Sequence, residues 1–310
     1  MNLFSSSGKR FILKLLVLPL FLTFTLQEAY ALSGLYGITS DGKLVTVNTT
    51  TGLTTVIRSA LPVGGTYHSL VIQSDYFYSF NTQGNLYRFG LNSGDEIFVG
   101  HTTYTVLGMS IRPTDGRCFA AVSTDGDLRG DYIGEVNLTN GSVSGLLTLN
   151  ASNTSYVSGL QAVSFYANSE LFATSYPATG WSYVYRVLQS DGNIYDVSGA
   201  DQHPYYVGGV ICIGLAIESS NQTVYCLEKN GSGDLRYLRR IIDAYPTPEF
   251  SSQVYIATLV APDLSPSGSG GAFVGVNAIA FPSSVAPPSS ASTGFYLIPG
   301  LIGDNTVAFF

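Results

Sequence analysis

The side chains in this sequence best able to transfer a proton or to bind a metal ion are its three histidines, His68, His101 and His203. None is spaced from another histidine, a cysteine or a carboxylate as metal ligands usually are, so no metal site is predicted. His68, Asp201 and His203 are the catalytic candidates, because an imidazole and a carboxylate within hydrogen-bond reach can act as acid and base. A purely structural role for the histidines is the alternative.

A second candidate site is the segment Asp201–Tyr206, which reads DQHPYY. The rings of Tyr205 and Tyr206 beside a carboxylate and an imidazole would combine stacking surfaces with hydrogen bonds, which suits ligand binding. The alternative is a solvated loop without a ligand.

Other patterns that carry chemistry are incomplete. Asp125, Asp127 and Asp131 are spaced like part of a calcium loop, but the terminal glutamate of an EF-hand is missing, so a long turn explains them better. The sequence contains no Gly-x-Ser-x-Gly elbow, no phosphate-binding loop and no Cys-x-x-Cys pair. No cofactor is therefore predicted.

The three cysteines are too few and too widely spaced for a disulfide framework. Cys212 and Cys226 flank the turn 218–222, so they could face each other across a hairpin and form a disulfide. Buried free thiols are the alternative.

The first 31 residues have the layout of a secretory signal peptide. A basic start at Lys9 and Arg10 precedes an apolar run over residues 11–24, and an Ala-x-Ala sequence ends at Ala31. A retained anchor is the alternative, but the run is interrupted by a lysine and a proline and is short for a bilayer span. We predict cleavage after Ala31, a secreted or extracytoplasmic chain, and no membrane span after cleavage.

Seven Asn-x-Ser/Thr triplets would be glycan acceptors if the source is eukaryotic, and would stay bare in a bacterium. They begin at Asn48, Asn137, Asn140, Asn150, Asn153, Asn221 and Asn230.

The charge of the chain disfavours polyanionic partners. It has 14 basic and 21 acidic residues, a net charge of −7, and loss of residues 1–31 would remove three basic residues and one acidic residue. Nucleic acid and anionic membrane surfaces are therefore not expected to bind it. A hydrophobic content of 45% is ample for a large core.

The elements that must position these residues come from a repeat. An apolar and aromatic pair, a turn and a second apolar segment occupy residues 35–48 and return at residues 77–92, with weaker copies later. The aromatic residues predicted to be equivalent, all on second strands, are Tyr36, Tyr78, Phe119, Phe172, Tyr225 and Tyr296. A short strand with small residues precedes most of these pairs, as in Gly108–Ile111 and Gly214–Ile217.

The repeat is β in character, because Val, Ile, Tyr, Thr and Phe alternate with period two and Asp-Gly or Asn-Gly turns separate the runs. Units of about 40 to 50 residues with about four strands are typical of propeller blades. We predict a single all-β propeller of four-stranded antiparallel blades over residues 32–310, with six blades favoured and five or seven as alternatives. A two-sheet sandwich is a further alternative, but it does not explain the repeat.

The two ends of the repeat lack complementary strands. No inner strand precedes Leu35, and no outer strand follows Phe309, so the ends could complete one blade together. The turn-linked segments resemble the blades of extracellular quinoprotein-like, YVTN-type or NHL-type propellers. This resemblance implies a fold and no functional residues.

In a propeller, His68 would face the central channel and the loop 201–206 could lie at its mouth. The favoured hypothesis is a secreted, non-catalytic binding or interaction module that recognises a protein or a carbohydrate. The alternative is a propeller hydrolase or lyase with its site at the channel.

Overall fold

The computed structural model describes residues 32–61, 65–92, 94–148, 159–175, 182–187, 194–196, 205–207, 210–218, 220, 223–230, 236–242, 249–256 and 275–283. Residues 34–310 belong to one compact unit and residues 1–33 to another. Regular structure in the described residues consists of strands alone. In chain order they are β1 (Leu35–Thr39), β2 (Leu44–Val47), β3 (Thr54–Arg58), β4 (Val71–Gln73), β5 (Tyr76–Phe80), β6 (Asn85–Phe89), β7 (Ile97–His101), β8 (Thr105–Ile111), β9 (Cys118–Ser123), β10 (Tyr132–Val136), β11 (Val143–Thr148), β12 (Leu160–Phe165), β13 (Leu171–Ser175), β14 (Ser182–Val187), β15 (Ile194–Asp196), β16 (Tyr205–Val207), β17 (Val210–Glu218), β18 (Thr223–Asn230), β19 (Arg236–Ile242), β20 (Glu249–Ile256), β21 (Val276–Ala280) and β22 (Pro282–Ser283).

These strands form five sheets, which are the blades of a β-propeller. Blade 1 has the order β21-β1-β2-β3, blade 3 runs from β8 to β11, and blade 5 runs from β17 to β20. Blade 2 runs from β4 to β7, with β22 added in parallel to β4, and blade 4 runs from β12 to β15, with β16 also paired to β14. The all-β propeller fold is confirmed. The described residues form five blades, one of the numbers that the repeat left open, rather than the favoured six.

The blade number follows from how the ring closes. The strand β21, near the end of the chain, pairs antiparallel with β1, so that Ile279 lies opposite Gly37. From the sequence alone, the segment Gly275–Ile279 is expected to be the inner strand of a last unit that contains Tyr296, which lies outside the described residues. In the structure this segment forms β21, which supplies the inner strand that blade 1 lacks, so it adds no further blade.

The aromatic residues predicted to be equivalent occupy one structural position in all five blades. Each lies on the second strand of its blade and pairs with a residue of the inner strand. In every blade a small residue (glycine, alanine or serine) stands two positions before that paired inner-strand residue. The pairs are Tyr36 with Ala280, Tyr78 with Val71, Phe119 with Ser110, Phe172 with Ser164, and Tyr225 with Ala216.

These aromatic side chains form the contacts between successive blades. The ring of Tyr36 in blade 1 lies edge-on to Phe77 of blade 2 at 5.3 Å, and Phe119 of blade 3 contacts Phe165 of blade 4 in the same way at 5.5 Å. Clusters of buried apolar side chains join blades 2 and 3, 3 and 4, 4 and 5, and 5 and 1. Burial of this apolar surface is the main force that holds such blades together.

The blades approach most closely at the inner strands. A Cβ atom on Gly108 of blade 3 would lie 2.6 Å from the Cα atom of Ala162 in blade 4. Only glycine fits at this position, because a backbone atom cannot move aside as a flexible side chain can. Among the described residues there is no helix long and apolar enough to cross a bilayer.

The disulfide that the sequence left open is not formed in the structure. Cys212, Cys226 and Cys118 are buried cysteines that form no disulfide. An irregularity of β17 offsets the two strands, so that Cys226 lies opposite Leu215 while Cys212 lies opposite Glu228. Burial raises the pKa of the Cys212 thiol well above its ordinary value, and the neighbouring Cys226 adds to the effect.

Candidate functional site

The inner strands of the five blades share one irregularity near their beginnings. In blades 1, 3, 4 and 5 the register between the inner strand and the second strand shifts by one residue at this point. Blade 2 has the same one-residue shift, because the register of the bridge between Tyr67 and Asn81 differs by one residue from that of the pair Val71 and Tyr78. Such β-bulges redirect a side chain away from the regular alternation of a strand. The residues at these bulges are His68, Leu107, Gln161, Ile213 and Asn277.

All five bulge residues line one cavity of about 270 Å³ at the end of the central channel where the inner strands begin. We call it the channel-mouth cavity. Its volume lies near the lower end of the range for small-molecule sites. The other described residues that line it are Ser40, Thr66, Leu128, Lys229 and Arg236.

The channel is closed beyond this cavity. Apolar side chains, among them Leu70, Val163 and Leu215, leave a space of only about 10 Å³ at the middle of the inner strands. A separate cavity of about 80 Å³ lies at the opposite end, lined mainly by apolar residues such as Met109 and Phe281. A ligand in the channel-mouth cavity would therefore be bound at a closed pocket and not within an open pore.

Blade 5 supplies two positive charges to the cavity. Lys229 at the end of β18 lies directly opposite Arg236 at the start of β19. Arg236 is 7% exposed, and its guanidinium donates from Nε to the Val276 carbonyl at 3.0 Å and from Nη2 to Asn277 Oδ1 at 3.3 Å. The missing side chain of Gly275 leaves room for it, since a Cβ there would lie 3.2 Å from the guanidinium.

The amide side chains of the bulge ring are fixed by backbone hydrogen bonds. Asn277 donates from Nδ2 to the Tyr67 carbonyl at 3.1 Å while its Oδ1 accepts from Arg236. Gln161 donates from Nε2 to the Leu128 carbonyl. The bonds of Asn277 join blade 1 to blades 2 and 5, and the bond of Gln161 joins blade 4 to a loop of blade 3. Together they hold polar atoms at set places around the cavity.

His68 is uncharged in this environment at neutral pH. Burial, which is the larger cause, and the positive charge of Lys229 together lower its pKa from 6.5 to about 4. The imidazole therefore offers a hydrogen-bond donor and an acceptor to the cavity and adds no third positive charge.

Acidification from pH 7 to pH 4 is expected to destabilise the protein through His68. The imidazole takes up a proton near pH 6.5 in the unfolded chain but only near pH 4 in the folded chain. Between these two pH values the unfolded state binds more protons, so the stability contributed by His68 is fully present above pH 6.5 and is lost as the pH falls to about 4. A shift of this size corresponds to as much as about 3 kcal/mol. Urea melts of the wild type and His68→Asn at pH 7, 5.5 and 4 measure the difference. An identical pH dependence for both proteins would contradict it.

The structure places the residues predicted from sequence in different parts of the molecule. His68 lies in the channel-mouth cavity, while His101 is exposed on β7, with Nδ1 3.2 Å from Asn85 Oδ1. Asp201 and His203 lie outside the described residues, so their proximity to His68 is untested.

Tyr205 and Tyr206 belong to β16, whose backbone pairs with β14, the third strand of blade 4. Tyr205 and Tyr206 thus lie in a strand and not in a loop, and their role in ligand binding stays a prediction. Sequence analysis missed Gln161, Asn277, Lys229 and Arg236. The first two could have been found from their place just before the small residue of an inner strand.

Three of the predicted glycan acceptors are exposed in turns. Asn48, Asn137 and Asn140 each accept a hydrogen bond through Oδ1 from the backbone two residues on, at 2.9 to 3.0 Å. For Asn230 the structure describes only the backbone, in β18, and the remaining three acceptors, Asn150, Asn153 and Asn221, lie outside the described residues.

The fold and the cavity define the class of the protein as a β-propeller, with five blades in the described part of the chain and a pocket at one mouth of its channel. No protein-family model and no curated protein sequence matches the chain.

Solved structures resemble the chain at low sequence identity. They include a Bacteroides thetaiotaomicron protein of unknown function (12% identity, 72% of this chain and 58% of that one, TM-score 0.43) and the β-propeller domain of Myceliophteria thermophila Cps50 (Swd1) (11%, 72% and 86%, 0.38). Kuenenia stuttgartiensis hydrazine synthase is similar over 61% of this chain at 7% identity and a TM-score of 0.39. The chain spans about half of the hydrazine synthase chain, at 49%.

Proposed function

We propose that this protein is an extracytoplasmic, non-catalytic binding module that recognises a protein or a glycan at the channel-mouth cavity. The observation that carries the proposal is the ring of five bulge residues. Each blade departs from regular strand geometry at the same position, and each departure contributes a side chain to one cavity. Bulges of this kind are common beside binding sites, where they direct side chains to a ligand.

The chemistry of the lining supports binding more than catalysis. The described lining residues supply amides, hydroxyls and two cations, which are groups that orient a ligand. His68 has a pKa of about 4, so it is a weak base at neutral pH. A hydrolase or lyase, the alternative function, would need Asp201 or His203 at the cavity as well.

The extracytoplasmic location rests on the leader-like first 31 residues. We expect the secreted chain to begin at Leu32, which N-terminal sequencing of the exported protein would establish. Recovery of Met1 in a membrane fraction would count against export by cleavage.

Filling the cavity is expected to abolish ligand binding without unfolding the ring. Ile213 is half-buried in the lining, and Ile213→Trp would occupy space that a ligand needs. Ile97→Trp is the matched control, because Ile97 is 47% exposed on the outer strand β7 of blade 2. The labelled proteins are applied to arrays of glycans and of extracellular proteins, and thermal melts check the fold.

A ligand whose affinity falls at least about ten-fold for Ile213→Trp and stays unchanged for Ile97→Trp supports the proposal, since a tenfold change is well above the effect of a remote substitution. Ligands bound equally by both variants would place recognition elsewhere on the surface.

A further inference from the structure

A loop of blade 3 borders the channel-mouth cavity. It covers residues 124–129, between β9 and β10, and every residue in it is exposed. Leu128 of this loop lines the cavity although it is 49% exposed, so its side chain lies at the rim, between the cavity and the solvent. We call the segment 124–129 the rim loop. A change in its position would change the width of the cavity mouth.

Both ends of the rim loop are held firmly. Ser123, the last residue of β9, is fully buried, and the backbone N–H of Asp131 donates to the Val122 carbonyl at 2.8 Å. Gly130 exchanges two backbone hydrogen bonds of 2.8 Å with Leu160 at the start of β12 in blade 4. Movement of the rim loop is therefore confined to the residues between these anchors.

The middle of the rim loop is exposed and makes hydrogen bonds within itself. Asp125 Oδ1 accepts from Ser123 Oγ at 2.6 Å, and Asp127 Oδ1 accepts from the Arg129 N–H at 2.7 Å. A Cβ atom on Gly126, at the tip, would meet no atom within 4 Å. Segments with exposed hydrogen bonds and few buried apolar contacts open locally at low cost in free energy. The rim loop has the properties of such a segment.

A hydrogen bond from blade 4 fastens the rim loop beside the cavity. Gln161 donates from Nε2 to the carbonyl of Leu128. Gln161 is 7% exposed, lies at the bulge of β12 and lines the cavity. The same amide therefore forms part of the cavity wall and fixes the loop at the rim. A neutral hydrogen bond shifts an equilibrium only about two- to tenfold, so this one can break and re-form while the blades stay folded.

We propose that the rim loop is a lid of the channel-mouth cavity, with Gln161 as its latch. While the bond between Gln161 and Leu128 is formed, the Leu128 side chain narrows the mouth of the cavity. When the bond breaks, the loop turns outward between its two anchors and the mouth widens. This inference rests on the proposed binding function and adds control of access to the cavity, whichever ligand the cavity binds.

The test measures access to the cavity without a ligand. Ile213, which lines the cavity, is replaced by cysteine, and alkylation of the introduced thiol by N-ethylmaleimide, a small neutral reagent, is followed over time by peptide mass spectrometry. The three native cysteines are buried, so their slow reaction is the internal background. Two lid variants are made in this Ile213→Cys protein. Gln161→Met removes the latch and keeps the length of the side chain, while Leu128→Ala keeps the carbonyl and shortens the side chain at the rim.

Gln73→Met is the matched control. Gln73, the last residue of β4, donates from Nε2 to the Gly116 carbonyl at 3.0 Å and so joins blade 2 to blade 3. This bond is of the same chemical kind as the latch, but it lies where the inner strand ends, at the opposite end of the channel. The control therefore reports any general loosening of the blades.

Gln161→Met is expected to speed alkylation of the introduced thiol about two- to tenfold, the effect of one neutral hydrogen bond on the opening of the lid. Leu128→Ala should also speed it, and Gln73→Met should leave the rate unchanged. Equal acceleration by Gln161→Met and Gln73→Met, or unchanged rates in both lid variants, would overturn the proposal.

Leu128 is half exposed, so Leu128→Ala leaves the core intact and decides the outcome alone if Gln161→Met does not fold. Because the labelling experiment uses no ligand, a failed lid remains distinguishable from a failed binding module, which the cavity-filling variant tests.

Discussion

Truncation of Tyr78 to alanine is expected to lower the free energy of unfolding by about 3 to 5 kcal/mol, the usual cost of removing a buried aromatic side chain and leaving a cavity. Tyr78 is 8% exposed and belongs to the cluster that joins blades 2 and 3, where it packs with Val106 and Cys118 among others. The same change at His68 should cost about 1 kcal/mol or less at pH 7, because that side chain lies half-buried against a cavity. Reversible urea melts of the two variants give the comparison.

Tyr78→Phe is the matched control for the first variant. It keeps the ring and removes only the hydroxyl group, which is hydrogen-bonded to Arg88, so a loss of about 1 kcal/mol is expected. If His68→Ala cost as much as Tyr78→Ala, His68 would be a structural residue of the core, and its role at the cavity would need to be reconsidered.

Substitution of Arg58 by alanine is expected to destabilise the protein by about 3 to 5 kcal/mol, the range found when one partner of a buried ion pair is removed. Arg58 is 3% exposed at the end of β3 in blade 1, and its guanidinium binds blade 2 at several points. It forms a salt bridge with Glu96, donates to the carbonyls of Gly90 and Asn92, and lies 5.2 Å from the centre of the Phe89 ring. Its loss would remove the Arg58 hydrogen bonds of the Gly90 and Asn92 carbonyls and would leave Glu96 without its positive partner.

Denaturant melts of Arg58→Ala and of Arg58→Met combined with Glu96→Leu separate the causes of this loss. The double variant removes both charges and keeps apolar volume, so it should be more stable than Arg58→Ala. A loss below about 1 kcal/mol for Arg58→Ala would show that the contacts between the outer parts of blades 1 and 2 contribute little.

The features of the fold that depend on neighbouring residues are predictable from the repeat. The period-two alternation predicts strands, and the aromatic residues from Tyr36 to Tyr225 occupy equivalent second-strand positions as expected. These features can be predicted from the sequence for two reasons. Successive side chains of a strand point to opposite faces of the sheet, and each blade must bury an apolar side chain of similar size against the next blade.

The blade number could not be read in the same way. The segment that forms β21 looks like the start of another unit when only its neighbours in sequence are considered. The strands missing at the two ends indicated that the ends could share a blade, but the pairing of β21 with β1, more than two hundred residues earlier, depends on the geometry of the closed ring.

The sequence by itself therefore determined the strands, the repeat and the residues that pack between blades, because these follow from local alternation and residue size. Only the tertiary structure decided which side chains share the channel mouth. Lys229 and Arg236 meet Asn277 there because a hairpin of blade 5 lies beside the strand that closes blade 1, and the bulges turn Gln161 and His68 towards the same space. Arg58 likewise has partners more than thirty residues away. These contacts join residues that are far apart in the sequence, so they depend on how the blades pack against one another and not on the local sequence pattern.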